Sequence, residues 1–234
     1  MHRLKKEILA LQGFKPAAND KVDIPLGPIN NAFPNQIFPL GAIHEFLVPS
    51  AECGSASAGF IAGIISAIMR GRGVLLWISA SRALFPPAVS LFGIKPEHII
   101  FISLRKEKDV LWAMEEALKC EGLAAVVAET ASLGFTASRR LQLSVEESRV
   151  TGFILLHKPA NQGTTACVTR WQISSLPSQL PDELPGVGFP RWKVDLLKVR
   201  NGKPGSWEVE WVDGAFRQVA KEAIAPQQAQ RKAG

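Results

Sequence analysis

The stretch Pro49-Ser50-Ala51-Glu52-Cys53-Gly54-Ser55-Ala56-Ser57-Ala58-Gly59 is a run of small residues between two apolar segments. A strand, a small-residue loop and a helix in succession form the setting in which backbone N–H groups and a helix N-terminus hold phosphate. A lysine completes that setting by offsetting the ligand's charge. Here the lysine is missing. The pattern G-x-x-x-x-G-K-[ST] does not occur, and no Lys or Arg stands between Lys21 and Arg70. Glu52 adds negative charge where a triphosphate would lie, and like charges close together in a poorly solvated pocket repel. Gly54 and the hydroxyl of Ser55 are what remains of a nucleotide loop. The expectation is a connection from strand to helix, spanning Pro49 to Ser57, that hydrolyses nothing.

Other reactive side chains form no constellation. His2, His44, His98 and His157 lack the H-x-x-x-H spacing of a zinc site, so no metal or cofactor is expected. His44, inside an apolar run, reads as a buried, hydrogen-bonded residue. Cys53 falls near a helix N-terminus, which favours a thiolate, but no base for it can be identified. The cysteines, Cys53, Cys120 and Cys167, are odd in number and widely separated. That argues against a disulfide framework and for a reducing compartment, the cytoplasm.

The elements that must position these residues follow from periodicity. Leu4, Ile8 and Leu11 give a short amphipathic helix, ended by Gly13 and Pro16; residues 1–20 read as that helix and a linker. From Lys21 to Leu40 the chain is rich in Pro, Asn and Gly and forms no long regular element. The pattern then alternates. Strands are expected at Ala42–Val48, Val74–Ile78, Ile99–Ser103, Ala124–Ala128 and Gly152–Leu156. Helices are expected at about Ala58–Met69, Pro86–Phe92, Lys108–Cys120 and Ser138–Arg149. That alternation calls for a mostly parallel sheet flanked by helices. Ala166–Ile173 and Arg191–Val199 are further strands. The turn signals Asn201-Gly202 and Pro204-Gly205 precede an alternating run, Trp207–Val212, which predicts a C-terminal antiparallel hairpin. Its Trp192, Trp207 and Trp211 read first as core residues, and its edge as a surface for strand addition. Residues 21–216 form the core. Residues 217–234, polar and rich in Ala, Gln and Lys, are expected to be a disordered tail.

The 234 residues are 47% hydrophobic, enough for a sizeable core. The longest apolar run, Gly59–Met69, is about half of what a membrane span needs, and the charged N-terminus does not read as a signal peptide. A net charge of +6 favours nucleic acid as a partner.

Several ordered segments carry a family resemblance. PLGPINNAFP (Pro25–Pro34), PLGAIHEF (Pro39–Phe46), VLLWISASRALFPP (Val74–Pro87) and AAVVAE (Ala124–Glu129) are similar to the ATPase core of RecA. PRWKVDLLKVRNGKPGSWEVEW (Pro190–Trp211) resembles the C-terminal hairpin of the ImuA family, RecA-related accessory proteins of bacterial error-prone repair. The resemblance reaches to about Phe216 and implies a RecA-like α/β fold whose nucleotide site has decayed. Ser81 stands where that family of folds places a water-activating carboxylate, and Glu129 ends the strand that would hold Mg²⁺. A lone carboxylate there is expected to serve as a helix cap or surface partner. Loops near Arg139, Arg140, Arg149, Lys158 and Arg170 correspond to ones that face DNA in RecA. The implied function is a non-catalytic role in SOS-type, damage-induced translesion synthesis. The implied partners are an ImuB-like Y-family polymerase homologue, a damage-inducible C-family DNA polymerase, RecA and DNA. Two alternatives stay open: a SulA-like inhibitor of cell division and an active RecA-type DNA-dependent ATPase.

Overall fold

The computed structural model describes residues 22–70, 73–80, 86–158, 163–178 and 188–219. The predicted N-terminal helix and most of the predicted tail lie outside them. Among the described residues nine strands form one sheet: β1 (Ile43–Val48), β2 (Val74–Ser79), β3 (Ile99–Ser103), β4 (Leu123–Thr130), β5 (Thr151–His157), β6 (Thr169–Leu176), β7 (Arg191–Val199), β8 (Gly205–Val212) and β9 (Ala215–Gln218). Their order is β3-β2-β4-β5-β1-β6-β7-β8-β9. The first six in that order are parallel, and β7, β8 and β9 continue the sheet antiparallel. The helices are α1 (Ala51–Met69), α2 (Pro86–Val89), α3 (Glu107–Leu118) and α4 (Phe135–Ser148).

Each central strand is apolar on both sides because helices cover both sheet faces. One core cluster joins α1 to Phe46, Trp77, Val127, Phe153 and Trp171. The other packs Val110, Met114 and Leu118 of α3 and Leu141 and Val145 of α4 on Ile43, Leu76, Val126 and Ile154. α1 is apolar on most of its surface for the same reason. It is long and apolar enough by composition to cross a bilayer, but lies packed in the core of the fold. On the antiparallel strands the alternation is strict. Trp192, Val194, Val209 and Trp211 point to the α1 side. On the opposite side Arg191 pairs across from Glu210, and Lys193 from Glu208.

Two boundaries differ from the sequence expectation. α1 begins at Ala51 rather than near Ala58, because Ser50 caps it by accepting a hydrogen bond from the Cys53 N–H. Packing of Ala56 and Ser57 on the sheet outweighs the weak helix propensity of Gly54, Ser55 and Ser57. The hairpin also does not end the sheet. β9 pairs with β8 through Phe216 and extends ordered chain to Gln218, two residues into the expected tail. Phe216 holds β9 in place from both ends of the chain. Its N–H donates to the Pro25 carbonyl, and its ring meets Phe60 and Trp211. Gly63 on α1 makes room for it, since a Cβ there would lie 2.6 Å from the Phe216 ring.

The lead-in segment is tied to the sheet by a polar chain inside the core. The Trp171 indole N–H donates to Thr169 Oγ1 (2.6 Å), and the Thr169 hydroxyl donates to His44 Nδ1 (2.7 Å). His44 Nε2–H then donates to the Pro39 carbonyl (2.9 Å). A carbonyl only accepts, so Nε2 carries a proton, and burial keeps the ring neutral, which leaves Nδ1 to accept from the Thr169 hydroxyl. Its ring stacks on Phe38 and Phe153. The sequence reading of His44 as a buried, bonded residue matches this geometry.

Burial pushes the His44 pKa from 6.5 down to about 3, against a smaller opposing pull from the Pro39 carbonyl. The unfolded chain therefore binds a proton below pH 6.5 that the folded chain refuses until about pH 3. This contribution is complete above the higher value and declines by about 1.4 kcal/mol per pH unit below it. Urea unfolding of His44→Gln, compared with the native chain, should show the stability gap narrowing by about 2 kcal/mol in all between about pH 7 and pH 5. A constant gap would contradict the assignment.

Candidate functional site

The junction of β1 and α1 lies at the C-terminal edge of the parallel strands, where open α/β sheets bind ligands. Only Pro49 and Ser50 separate the strand from the helix. A phosphate-binding loop needs several free backbone N–H groups in this interval, and the interval here is only two residues long. The Cys53 N–H is bonded to Ser50 Oγ (3.2 Å), and the Gly54 N–H to the Ser50 carbonyl (3.1 Å). The hydroxyl of Ser55 turns back onto the Ala51 carbonyl (3.4 Å). Glu52, in the same turn, places negative charge at the positive end of the helix dipole, and its carboxylate accepts from the Ser175 hydroxyl of β6. The helix end thus carries its own anion. Gly54 packs against neighbouring strands, since a Cβ there would meet Val48 at 3.2 Å and His157 at 3.7 Å.

Glu129 is buried beside this junction, on the α1 side of β4. One carboxylate oxygen accepts from the Trp77 indole N–H (2.6 Å) and the other from His157 Nε2 (3.0 Å). It is neither a helix cap nor a surface partner, as the sequence suggested, but an internal acceptor with each oxygen bonded. Ser81 lies outside the described residues. Gly54, Ser55 and Glu129 do converge on one region, but as helix, helix and buried acceptor.

The basic residues do not converge. Arg139 is exposed one turn into α4. Arg140, its neighbour, pairs with Glu115 of α3 at 2.7 Å. Arg149 closes the far end of α4 in a left-handed conformation, φ 67°, beside Gly41. The helix axis alone puts about 15 Å between it and Arg139. Lys158 is exposed directly after β5, also with positive φ, 47°.

Arg170 belongs to the interior. Its Nε donates to Glu45 Oε2 at 2.9 Å, and Nη2 reaches the Gly163 carbonyl at 2.7 Å. Glu45, 1% exposed, also accepts from the Thr165 hydroxyl (2.8 Å). Lys198 of β7 donates to the Thr165 carbonyl (2.8 Å), and Arg200 to that of Ala166 (3.0 Å). Burial lowers the Lys198 pKa and pushes the nearby Cys167 thiol up to about 12. Three cations and one carboxylate therefore clasp residues 163–166 to the sheet. Sequence reasoning missed Glu45, Lys198 and Arg200. The available signal was a charged residue, Glu45, inside an otherwise apolar central strand, since such a charge needs a buried partner.

No family model matches the chain. Protein ImuA from two strains of Caulobacter vibrioides is 32% identical over 226 residues, covering 88% of this chain and 93% of the relative. Among solved structures, a RadB recombinase matches with a TM-score of 0.53 and 12% identity, covering 79% of this chain and 93% of that one. At that identity the match concerns the fold, which is RecA-like.

Removing one partner of a buried ion pair leaves a charge stranded. Arg170→Ala should therefore cost about 3–5 kcal/mol, while the double change Glu45→Met with Arg170→Met should recover most of it. Urea midpoints of the three proteins check this, and a double variant no better than the single would refute the pairing.

Proposed function

The chain belongs to the ImuA family, and from that premise we propose that it serves damage-induced mutagenesis as a RecA-shaped accessory protein without a nucleotide cycle. It recruits or regulates components of error-prone synthesis by contact. The observation that carries this reading is the abrupt passage from β1 into α1. Phosphoryl transfer depends on positioned donors and cations around the phosphates. Here two residues connect strand to helix, the Cys53 N–H is capped by Ser50, and the charge present is that of Glu52. Glu129 is buried and serves as acceptor for Trp77 and His157.

The partners in this reading are an ImuB-like Y-family polymerase homologue, a damage-inducible C-family polymerase and RecA itself. DNA binding falls to Arg139 and Lys158, which are exposed near the same end of the sheet. Neither a SulA-like action on cell division nor an active recombinase is favoured by the family membership.

Pure protein incubated with ATP and single-stranded DNA should release phosphate no faster than a protein-free blank. Steady release that rises with added DNA would overturn the proposal. Replacing Arg139 and Lys158 together by Ala should weaken single-stranded DNA binding and reduce its salt slope by about 1–2, roughly one unit for each phosphate that is no longer neutralised. Unchanged affinity in a titration at two salt concentrations would remove DNA from the reading while leaving the protein partners in place.

A further inference from the structure

The net charge of +6 is not spread along the chain. Between Val22 and Val219, nineteen Lys and Arg stand against eighteen Asp and Glu, so the body contributes only +1. Several of its cations are also paired off, among them Arg140 with Glu115, Arg170 with Glu45 and Arg217 with Asp213. Residues 1–21 hold five cations, Arg3, Lys5, Lys6, Lys15 and Lys21, against Glu7 and Asp20, which gives +3. Residues 220–234 hold Lys221, Arg231 and Lys232 against Glu222, which gives +2. Five of the six net charges therefore lie in the two segments that flank the body.

The fold brings the roots of these segments to one sheet edge. The Phe216 N–H of β9 donates to the Pro25 carbonyl at 3.0 Å. Val22 stands three residues before Pro25, and Val219 three residues after Phe216. A chain spans at most about 3.6 Å per residue, so the two departure points are no more than about 30 Å apart. The Val219 N–H also donates to the Glu208 carbonyl (3.0 Å), which keeps that root on β8. Two cationic segments starting from one corner act together on one ligand, because binding of the first raises the effective concentration of the second.

The ligand that matches is a phosphate backbone. Its charges are closely spaced, and each one neutralised by Lys or Arg releases condensed counterions, whatever the base sequence. An anionic bilayer is the poorer match. Binding to a lipid surface needs apolar area to bury, and residues 220–234 offer one large apolar side chain, Ile224. We propose that residues 1–21 and 220–234 jointly bind the phosphate backbone of nucleic acid at the β9 edge. This rests on the proposed function only for the class of ligand. The site is a different one: β9 lies five strand spacings, about 24 Å, from β5, the strand that Lys158 follows.

The test is fluorescence anisotropy of a labelled oligothymidylate titrated with the full chain at about 50–200 mM salt, which gives the slope of log K against log salt. Arg3→Gln, Lys5→Gln and Lys6→Gln together should lower that slope by about 2, at about 0.7 for each phosphate no longer neutralised. Lys221→Gln, Arg231→Gln and Lys232→Gln together should do the same, and all six changes should lower it by about 4. Arg3→Lys with Arg231→Lys keeps the charge and should keep the slope, which separates charge from any disturbance of the fold. A slope indifferent to the six changes overturns this inference and leaves Arg139 and Lys158 as the DNA contacts. Native chain without affinity for the strand at about 50 mM salt overturns both. Equally tight binding to phosphatidylserine vesicles, lost with the same six charges, makes the partner a membrane and overturns the choice of nucleic acid.

Discussion

β1 lies at the centre of the sheet, with every residue buried, and carries two polar side chains facing opposite ways. Neither His44 nor Glu45 has water to turn to, and an unmatched polar group in that position is costly. The surrounding elements answer that demand. On the α1 side, His44 draws in the Pro39 carbonyl and Thr169, and through Thr169 the Trp171 indole. On the other side, Glu45 fixes Arg170 and Thr165, and with them the stretch before β6. The lead-in segment, the central parallel pair and the loop base after β5 are thus placed by two adjacent residues. Apolar packing sets how stable the core is, and these two networks set which segments share it.

The same economy explains how a recombinase-like fold persists around a junction with no loop in it. A nucleotide loop must leave donors unsatisfied until the ligand arrives, which costs stability in its absence. The β1–α1 junction instead caps the Cys53 N–H with Ser50 and balances the helix dipole with Glu52. Trp77 and His157 likewise supply Glu129 with the donors that a buried carboxylate needs. These bonds link β2, β4, β5, β6 and α1.

Much of the architecture was legible in the sequence. Continuous apolar runs such as Leu75–Ile78 and Phe153–Leu156 declared buried parallel strands, and the alternation of Trp207–Val212 declared a hairpin. Val110, Met114 and Leu118 declared the inward face of α3. The missing lysine was legible as well. The start of α1 was not, because Gly54, Ser55 and Ser57 are poor helix formers held by tertiary packing, a term that propensity does not contain. β9 escaped for the opposite reason: four residues, Ala215–Gln218, are too few for a period to show, and Phe216 alone marks them. The basic residues are not alike in their surroundings. Charge in sequence does not say whether a side chain meets solvent, as Arg139 does, or a buried carboxylate, as Arg170 does.

Phe216 sits on the last described strand, yet it packs on α1 and bonds to Pro25 near the first described residue. The hydrophobic core on that face stays open until Phe216 has been made. On the ribosome, domains tend to fold as their N-terminal parts emerge, but here Phe60, Trp192 and Trp211 wait for the Phe216 ring. A nascent chain therefore exposes this aromatic surface, to chaperones and proteases alike, for as long as Phe216 is missing, and a premature stop before that codon yields a product without a closed core.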